Sequence, residues 1–276
     1  MSNYFTSHDG LQLFKRSWTI ENSKANIYII HGYFEHSGRY DFLAKRFNTE
    51  GYGVYAFDLR CHGKSEGERV YIDDFSAITK DVEQWMEMVV DKDKPFFIFA
   101  HSLGGLIASA YLMDHKPKLK NLRGLLMTGP ALMISKDLAP MLQKVAGIVG
   151  RFLPRLQTVG VDGDYISRLP EVVQAYKDDS LNYHGKTIAR TGWTIMKKMK
   201  DVQSKASSFK LPVGIMHGTV DKLCELEGSK YFIENIGSED KSLKIYEGLY
   251  HELFREPEKE EVIAYMLDWF EHRIGD

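Results

Sequence analysis

At 276 residues the chain is long for one domain and short for two independent ones, which suits one α/β core with a sizeable insertion. Its 36 basic and 38 acidic residues nearly cancel and form no long basic run, which argues against nucleic acid as a standing partner. Two cysteines, Cys61 and Cys224, are too few for a disulfide framework and fit a reducing compartment.

Met1 to Ser17 lacks a basic stretch leading into an apolar one, and no apolar run approaches the ~18 residues of a membrane span. The expectation is a cytoplasmic chain. Two short strands, Tyr4 to Thr6 and Leu11 to Ser17, open it around a turn at His8-Asp9-Gly10. Ala25 to Ile30 is almost wholly apolar and reads as a strand buried on both faces. A helix over Arg39 to Glu50 ends at Gly51, and Gly53 to Phe57 is the next strand. Ile78 to Lys92 has helical spacing, Phe96 to Ala100 follows as a strand, Leu103 to Met113 as a helix, and Arg123 to Thr128 as a strand. This alternation predicts a mostly parallel sheet flanked by helices. Between about Gly129 and Leu211 the rhythm lapses. Leu138, Met141, Leu142, Val145, Ile148, Val149 and Phe152 form one helical stripe, and helical stretches follow at Pro170 to Lys177 and Lys186 to Ser204. Alternation resumes at Val213 to His217, Glu225 to Ile236, Ser242 to Tyr246 and Glu258 to His272. Residues 1–129 and 211–276 therefore read as the core, and 130–210 as an inserted helical cap.

The strongest local signal is Ala100-His101-Ser102-Leu103-Gly104-Gly105, set between a strand and a helix. It is a variant of the G-x-S-x-G nucleophile elbow, with alanine in the first glycine position. On its own the pattern also suits a small-residue helix start with a capping serine. A serine hydroxyl needs an imidazole to take its proton, and the α/β-hydrolase fold supplies Ser, then Asp or Glu, then His along the chain. Asp221 stands just past the strand ending at His217, and His251 in the loop after the strand ending at Tyr246. Both lie beyond the carboxyl ends of expected parallel strands, the edge where open α/β sheets gather their sites. Asp162 and Asp164 also follow Ser102 but fall in the cap; His31, His62 and His101 precede it. Backbone N–H groups for a tetrahedral oxyanion are expected from Leu103, after the nucleophile, and from Tyr33, in the loop His31-Gly32-Tyr33-Phe34-Glu35. No His/Cys/Asp grouping has metal-ligand spacing, so no metal or other cofactor is expected.

With these stretches in view the chain resembles the monoacylglycerol lipase family. The resemblance rests on residues 31–40, on Asp58-Leu59-Arg60-Cys61-His62-Gly63-Lys64-Ser65-Glu66-Gly67, and on the elbow. It continues through Asp221-Lys222-Leu223-Cys224, residues 244–251 and the cap segments around Ser167-Arg168, 170–173 and 176–179. It implies hydrolysis of monoacylglycerols, small lipid esters, to glycerol and a free fatty acid, and places Glu35, Arg39, His101 and Tyr176 near the glycerol end of the pocket. Ala100, Cys61, Tyr33, Phe34 and Phe254 depart from the family's usual residues. A lysophospholipase or general esterase with the same triad is the runner-up, and a non-catalytic binding protein the third reading. The stripe from Leu138 to Phe152 either covers an acyl tunnel and touches a membrane surface transiently, or packs onto the core.

Overall fold

The computed structural model describes residues 3–115, 119–134, 140–160 and 162–275, with backbone alone for 140–144. Among them, ten strands are labelled here in chain order: β1 Tyr4–Thr6, β2 Gln12–Trp18, β3 Ala25–Ile30, β4 Tyr52–Phe57, β5 Phe96–His101, β6 Leu122–Thr128, β7 Gln157–Gly160, β8 Lys186–Ile188, β9 Val213–Gly218 and β10 Lys241–Tyr246. The helices are α1 Asp41–Thr49, α2 Phe75–Val89, α3 Leu103–Asp114, α4 Pro140–Phe152, α5 Pro170–Asp178, α6 Ala189–Ser204, α7 Leu226–Asn235 and α8 Lys259–Glu271. Eight strands form one sheet in the order β1-β2-β4-β3-β5-β6-β9-β10. β2 runs antiparallel to β1 and to β4, and every other pairing is parallel. This is the α/β-hydrolase fold expected from the alternation of elements.

The two-residue period of a strand decides which side chain meets which helix layer. In β3, Ala25, Ile27 and Ile29 pack with Leu43 and Phe47 of α1 and with Val262, Met266 and Phe270 of α8. Tyr28 and Ile30 face the other way, toward Trp85 of α2 and Leu106 and Ala110 of α3. All six residues of β3 and of β5 are buried, which explains why both read as continuous apolar runs rather than alternating ones.

Strand order also positions the site. From β3 the chain moves outward to β4, then crosses back to β5 on the other side of β3. Such a reversal opens a crevice beyond the carboxyl ends of the two strands. Ile30 pairs with Ala100, so the loop after β3 and the turn after β5 leave the sheet side by side.

The segment between the neighbouring strands β6 and β9 holds α4, α5 and α6, but is not wholly helical. β7 and β8 form a two-stranded antiparallel ribbon. Lys186-Thr187-Ile188, expected as the start of a helix, is its second strand; the β-branched pair suits a pleated edge better than a first helical turn. Of the α4 stripe, Leu138 lies outside the described residues and Met141 and Leu142 are described by backbone alone. Val145, Ile148 and Phe152 are 43%, 61% and 72% exposed, while Val149 of the same stripe is half-buried. The segment is laced to the loop after β10: Glu252 N–H donates to Ile166 O at 2.8 Å, and Arg168 N–H to Glu256 Oε1 at 2.7 Å.

Candidate active site

β5 delivers Ser102 at a sharp turn. Its backbone has φ +55° and ψ −122°, a conformation that costs a residue with a side chain about 1–3 kcal/mol and persists only where its surroundings enforce it. The enforcing contacts are visible. Ser102 N–H donates to Thr128 O at 3.0 Å, and Ser102 O accepts from Gly105 and Ala131 N–H, both at 3.0 Å. A Cβ on Gly104 would stand 2.1 Å from Ile30 O, so only glycine lets α3 begin this close to β3. On the other side of the turn, a Cβ on Gly32 would meet the Ser102 Cβ at 3.0 Å.

Asp221 and His251 come from the loops after β9 and β10 and meet at the same rim. His251 Nδ1–H donates to Asp221 Oδ2 at 2.7 Å, with both side chains at most 5% exposed. Asp221 Oδ1 in turn accepts from the N–H groups of Leu223 at 2.8 Å and Cys224 at 2.9 Å. Burial opposes the charge on Asp221, yet His251 and His217 beside it hold its carboxyl well below the usual range. Burial likewise opposes a charged His251, but the Asp221 carboxylate outweighs it and raises the imidazole above its ordinary value. With Nδ1 taken by Asp221, Nε2 is the nitrogen left to serve Ser102. Among the described hydrogen bonds the Ser102 hydroxyl is partnered by the Cys224 thiol at 3.9 Å and not by His251; in enzymes such contacts often tighten only when substrate arrives. Burial and the nearby Asp221 charge push the Cys224 thiol well up, which opposes formation of a reactive thiolate there.

Ser102 and His251 line one cavity of about 160 Å³ together with Tyr33, Leu103, Glu35, Arg39, His101, Tyr176 and Glu252. Leu103 is the first residue of α3, where N–H groups have no partner inside the helix. His101 Nδ1–H donates to Thr128 O at 3.0 Å, and burial together with His251 lowers the ring to about 4, so it is uncharged at neutral pH. At the far end Arg39 donates to Glu252 twice, Nη1 to Oε1 at 2.5 Å and Nη2 to Oε2 at 2.9 Å, and to Glu35 Oε2 at 3.0 Å. Tyr40 O–H and Gly32 N–H donate to the other Glu35 oxygen at 2.8 and 2.6 Å. Tyr176 closes this end, its ring 4.9 Å from the Arg39 guanidinium carbon. A second, largely apolar cavity of about 560 Å³ shares Tyr33, Ile195, Met199 and Leu223 with the first and opens between α4, α6 and the β7/β8 ribbon.

Residues 21–258 match the family model described as serine aminopeptidase, S33. A monoacylglycerol lipase of Mycolicibacterium smegmatis is 33% identical over 268 residues, covering 96% of this chain and 95% of that protein. The chain belongs to the monoacylglycerol lipase family. A monoglyceride lipase of Rattus norvegicus is 31% identical over 99% of this chain and 91% of its own length. The crystal structure of the Paleococcus ferrophilus monoacylglycerol lipase superposes with a TM-score of 0.84 at 30% identity, covering 95% and 99% of the two chains.

The residues that depart from the lipase family pattern have identifiable settings. Cys61 has φ +67°, the region that favours glycine. Phe34 has φ +66° and stacks on Tyr33 at 4.1 Å, so two rings wall the loop after β3. Ala100 is fully buried between β3 and β6. Phe254 sits edge-on against His101 at 5.3 Å and stiffens it by packing.

Sequence reasoning missed three residues at this lipase-family site. His217 Nε2 lies 3.2 Å from Asp221 Oδ2 and gives the carboxylate a second imidazole. Gly129, φ +48°, leaves room for the pair: a Cβ there would stand 3.0 Å from His251 Nδ1 and 3.1 Å from Asp221 Oδ2. Glu252 follows His251 directly, and that adjacency was the available signal. Away from the pocket, His8, Asp9 and Asp81 gather closely enough to hold an ion, a group no local spacing announces. Arg60 already bridges Asp9 and Asp81 there.

Proposed function

We propose that this chain hydrolyses monoacylglycerols to glycerol and a fatty acid through an acyl-enzyme. Ser102 attacks the ester carbonyl as His251 Nε2 takes its proton. The Tyr33 and Leu103 N–H groups receive the oxyanion, each donor being worth about 2.7–4 kcal/mol in the transition state. His251 then protonates the departing glycerol oxygen, and afterwards activates the water that releases the acid. Asp221 fixes the imidazole tautomer and stabilises its charged form. Glu35, Arg39, His101 and Tyr176 bound the space for glycerol, and the apolar cavity takes the acyl chain, each buried methylene contributing about 0.8 kcal/mol.

The observation that carries this reading is the His251–Asp221 hydrogen bond at 2.7 Å in a cavity that Ser102 also lines, polar at one end and opening into an apolar space at the other. Labelling by a fluorophosphonate that is lost in Ser102→Ala, with turnover of monoacylglycerols of graded chain length beside lysophospholipids, tests it. An unlabelled wild type would leave the non-catalytic reading standing.

An aminopeptidase reading is disfavoured by the charged end. A substrate α-ammonium needs a carboxylate to receive it, and Glu35 and Glu252 are both engaged by Arg39. Ile148 and Phe152 of α4, Leu153 just after it, and Val159, which lines the apolar cavity, are 58% to 72% exposed and favour transient contact with a lipid surface. No helix among the described residues is long and apolar enough to cross a membrane.

A further inference from the structure

The charged end of the pocket holds one cation between two anions, all three nearly buried: Glu35 is 4% exposed, Arg39 9% and Glu252 2%. A guanidinium edge with two parallel N–H groups is the usual receptor for a phosphate or carboxylate. Here that edge is already filled. Glu252 takes one hydrogen bond from each of Nη1 and Nη2, and Glu35 takes a further one from Nη1. Nη2 has Glu252 as its partner among the described hydrogen bonds. Behind Glu252, Arg255 approaches Oε2 at 3.4 Å, and the Glu252 backbone is tied to Ile166, so the carboxylate is held from three sides.

We infer that Glu252 is the residue that sets headgroup selectivity, reserving the pocket for uncharged glyceryl esters by occupying the guanidinium edge of Arg39 that an anionic headgroup would need. The inference rests on the ester-hydrolase reading above. An incoming phosphate must either displace a buried carboxylate from the Nη1/Nη2 edge or settle for the Nε side of the guanidinium next to two carboxylates, and each option is costly in a desolvated site. A glycerol hydroxyl meets no such barrier. It can donate to a carboxylate oxygen without disturbing the pair.

The test is turnover by wild-type and Glu252→Gln enzyme of three esters of one acyl chain: a monoacylglycerol, a lysophosphatidate and a p-nitrophenyl ester. Wild type should favour the monoacylglycerol over the lysophosphatidate by about a hundredfold or more in kcat/KM, and E252Q should narrow that ratio by about tenfold or more. Competition by glycerol 1-phosphate against the p-nitrophenyl ester should be absent in wild type and present in E252Q. Glu252→Asp keeps the charge one methylene back and should hold a ratio closer to wild type than E252Q does. Equal turnover of both headgroups by wild type, inhibition of wild type by glycerol 1-phosphate, or an unmoved ratio in folded E252Q overturns the inference. The first two need no variant. Failure of wild type on all three esters would instead remove the hydrolase reading, and the p-nitrophenyl ester tells these failures apart.

Discussion

The two ends of the pocket are built by opposite means. The charged end is assembled mostly from core loops close to β3 and β10, and its side chains are locked by hydrogen bonds of 2.5 to 3.0 Å. The apolar end is assembled mostly from the segment between β6 and β9, where Val145, Ala146, Val149, Trp193, Ile195, Met196 and Met199 meet without directional bonds. Directional contacts fix where a reacting atom sits, whereas apolar walls accept any chain that fills them. The first end is therefore suited to fixing a headgroup beside the proposed triad and the second to taking chains of varied length, and changes at the core rim and at the apolar end should separate cleanly.

Substitutions at the core rim should hurt most. Ser102→Ala is expected to lower kcat by about 10⁶, a scale known for serine hydrolases, with unchanged thermal unfolding as the control. Asp221→Asn should cost about 10⁴ in kcat. It should also move the acid limb of the kcat/KM profile. As the proposed base, His251 works in its neutral form, so activity should be present above its pKa and lost as pH falls through it. In the wild type that limb should lie above ~6.5, because Asp221 raises the imidazole; in the variant burial is left to pull it lower. A limb that stays in place would separate His251 from the profile. Gly129→Ala should reduce kcat by about a hundredfold with little change in KM, since its methyl group would crowd the His251–Asp221 bond.

Changes at the apolar end should be smaller and should alter preference. Ile195→Phe narrows the passage where the two cavities join, and should penalise long acyl chains over short ones by about fourfold per methylene excluded. A uniform loss over all chain lengths would break the division of labour between the ends. Smallest of all, Ile148→Ser with Phe152→Ser should leave turnover of a dispersed short-chain ester intact and lower only that of vesicle-borne substrate, read by sedimentation and turnover together.

The same division explains what could be read from the chain. β3, β5 and β9 are buried on both faces, so their apolar runs and the turns after them stood out, and with them Ser102 and Asp221; His251 follows β10, a mostly half-buried strand, and was legible through the Ser-Asp-His order along the chain. The ribbon of β7 and β8 did not: four residues and three residues are too short to show a period. Glu252 and His217 escaped for another reason. Glu252 matters through Arg39, far along the chain, and that pairing leaves no local pattern; His217 meets Asp221 only four positions on, across the turn that ends β9. Gly129 is one glycine among 23 until its neighbours are known.

The register between β3 and β5 carries a further consequence. Ile30 and Ala100 face one another across the ladder, and Tyr33 and Leu103 each stand three positions beyond them. The two amides proposed to receive the oxyanion thus sit at equal offsets from one rung, like two marks on a single ruler. Breathing of the segment between β6 and β9 can widen or narrow the entrance without changing that spacing. The enzyme can remain pliant at its mouth and stay calibrated at its centre.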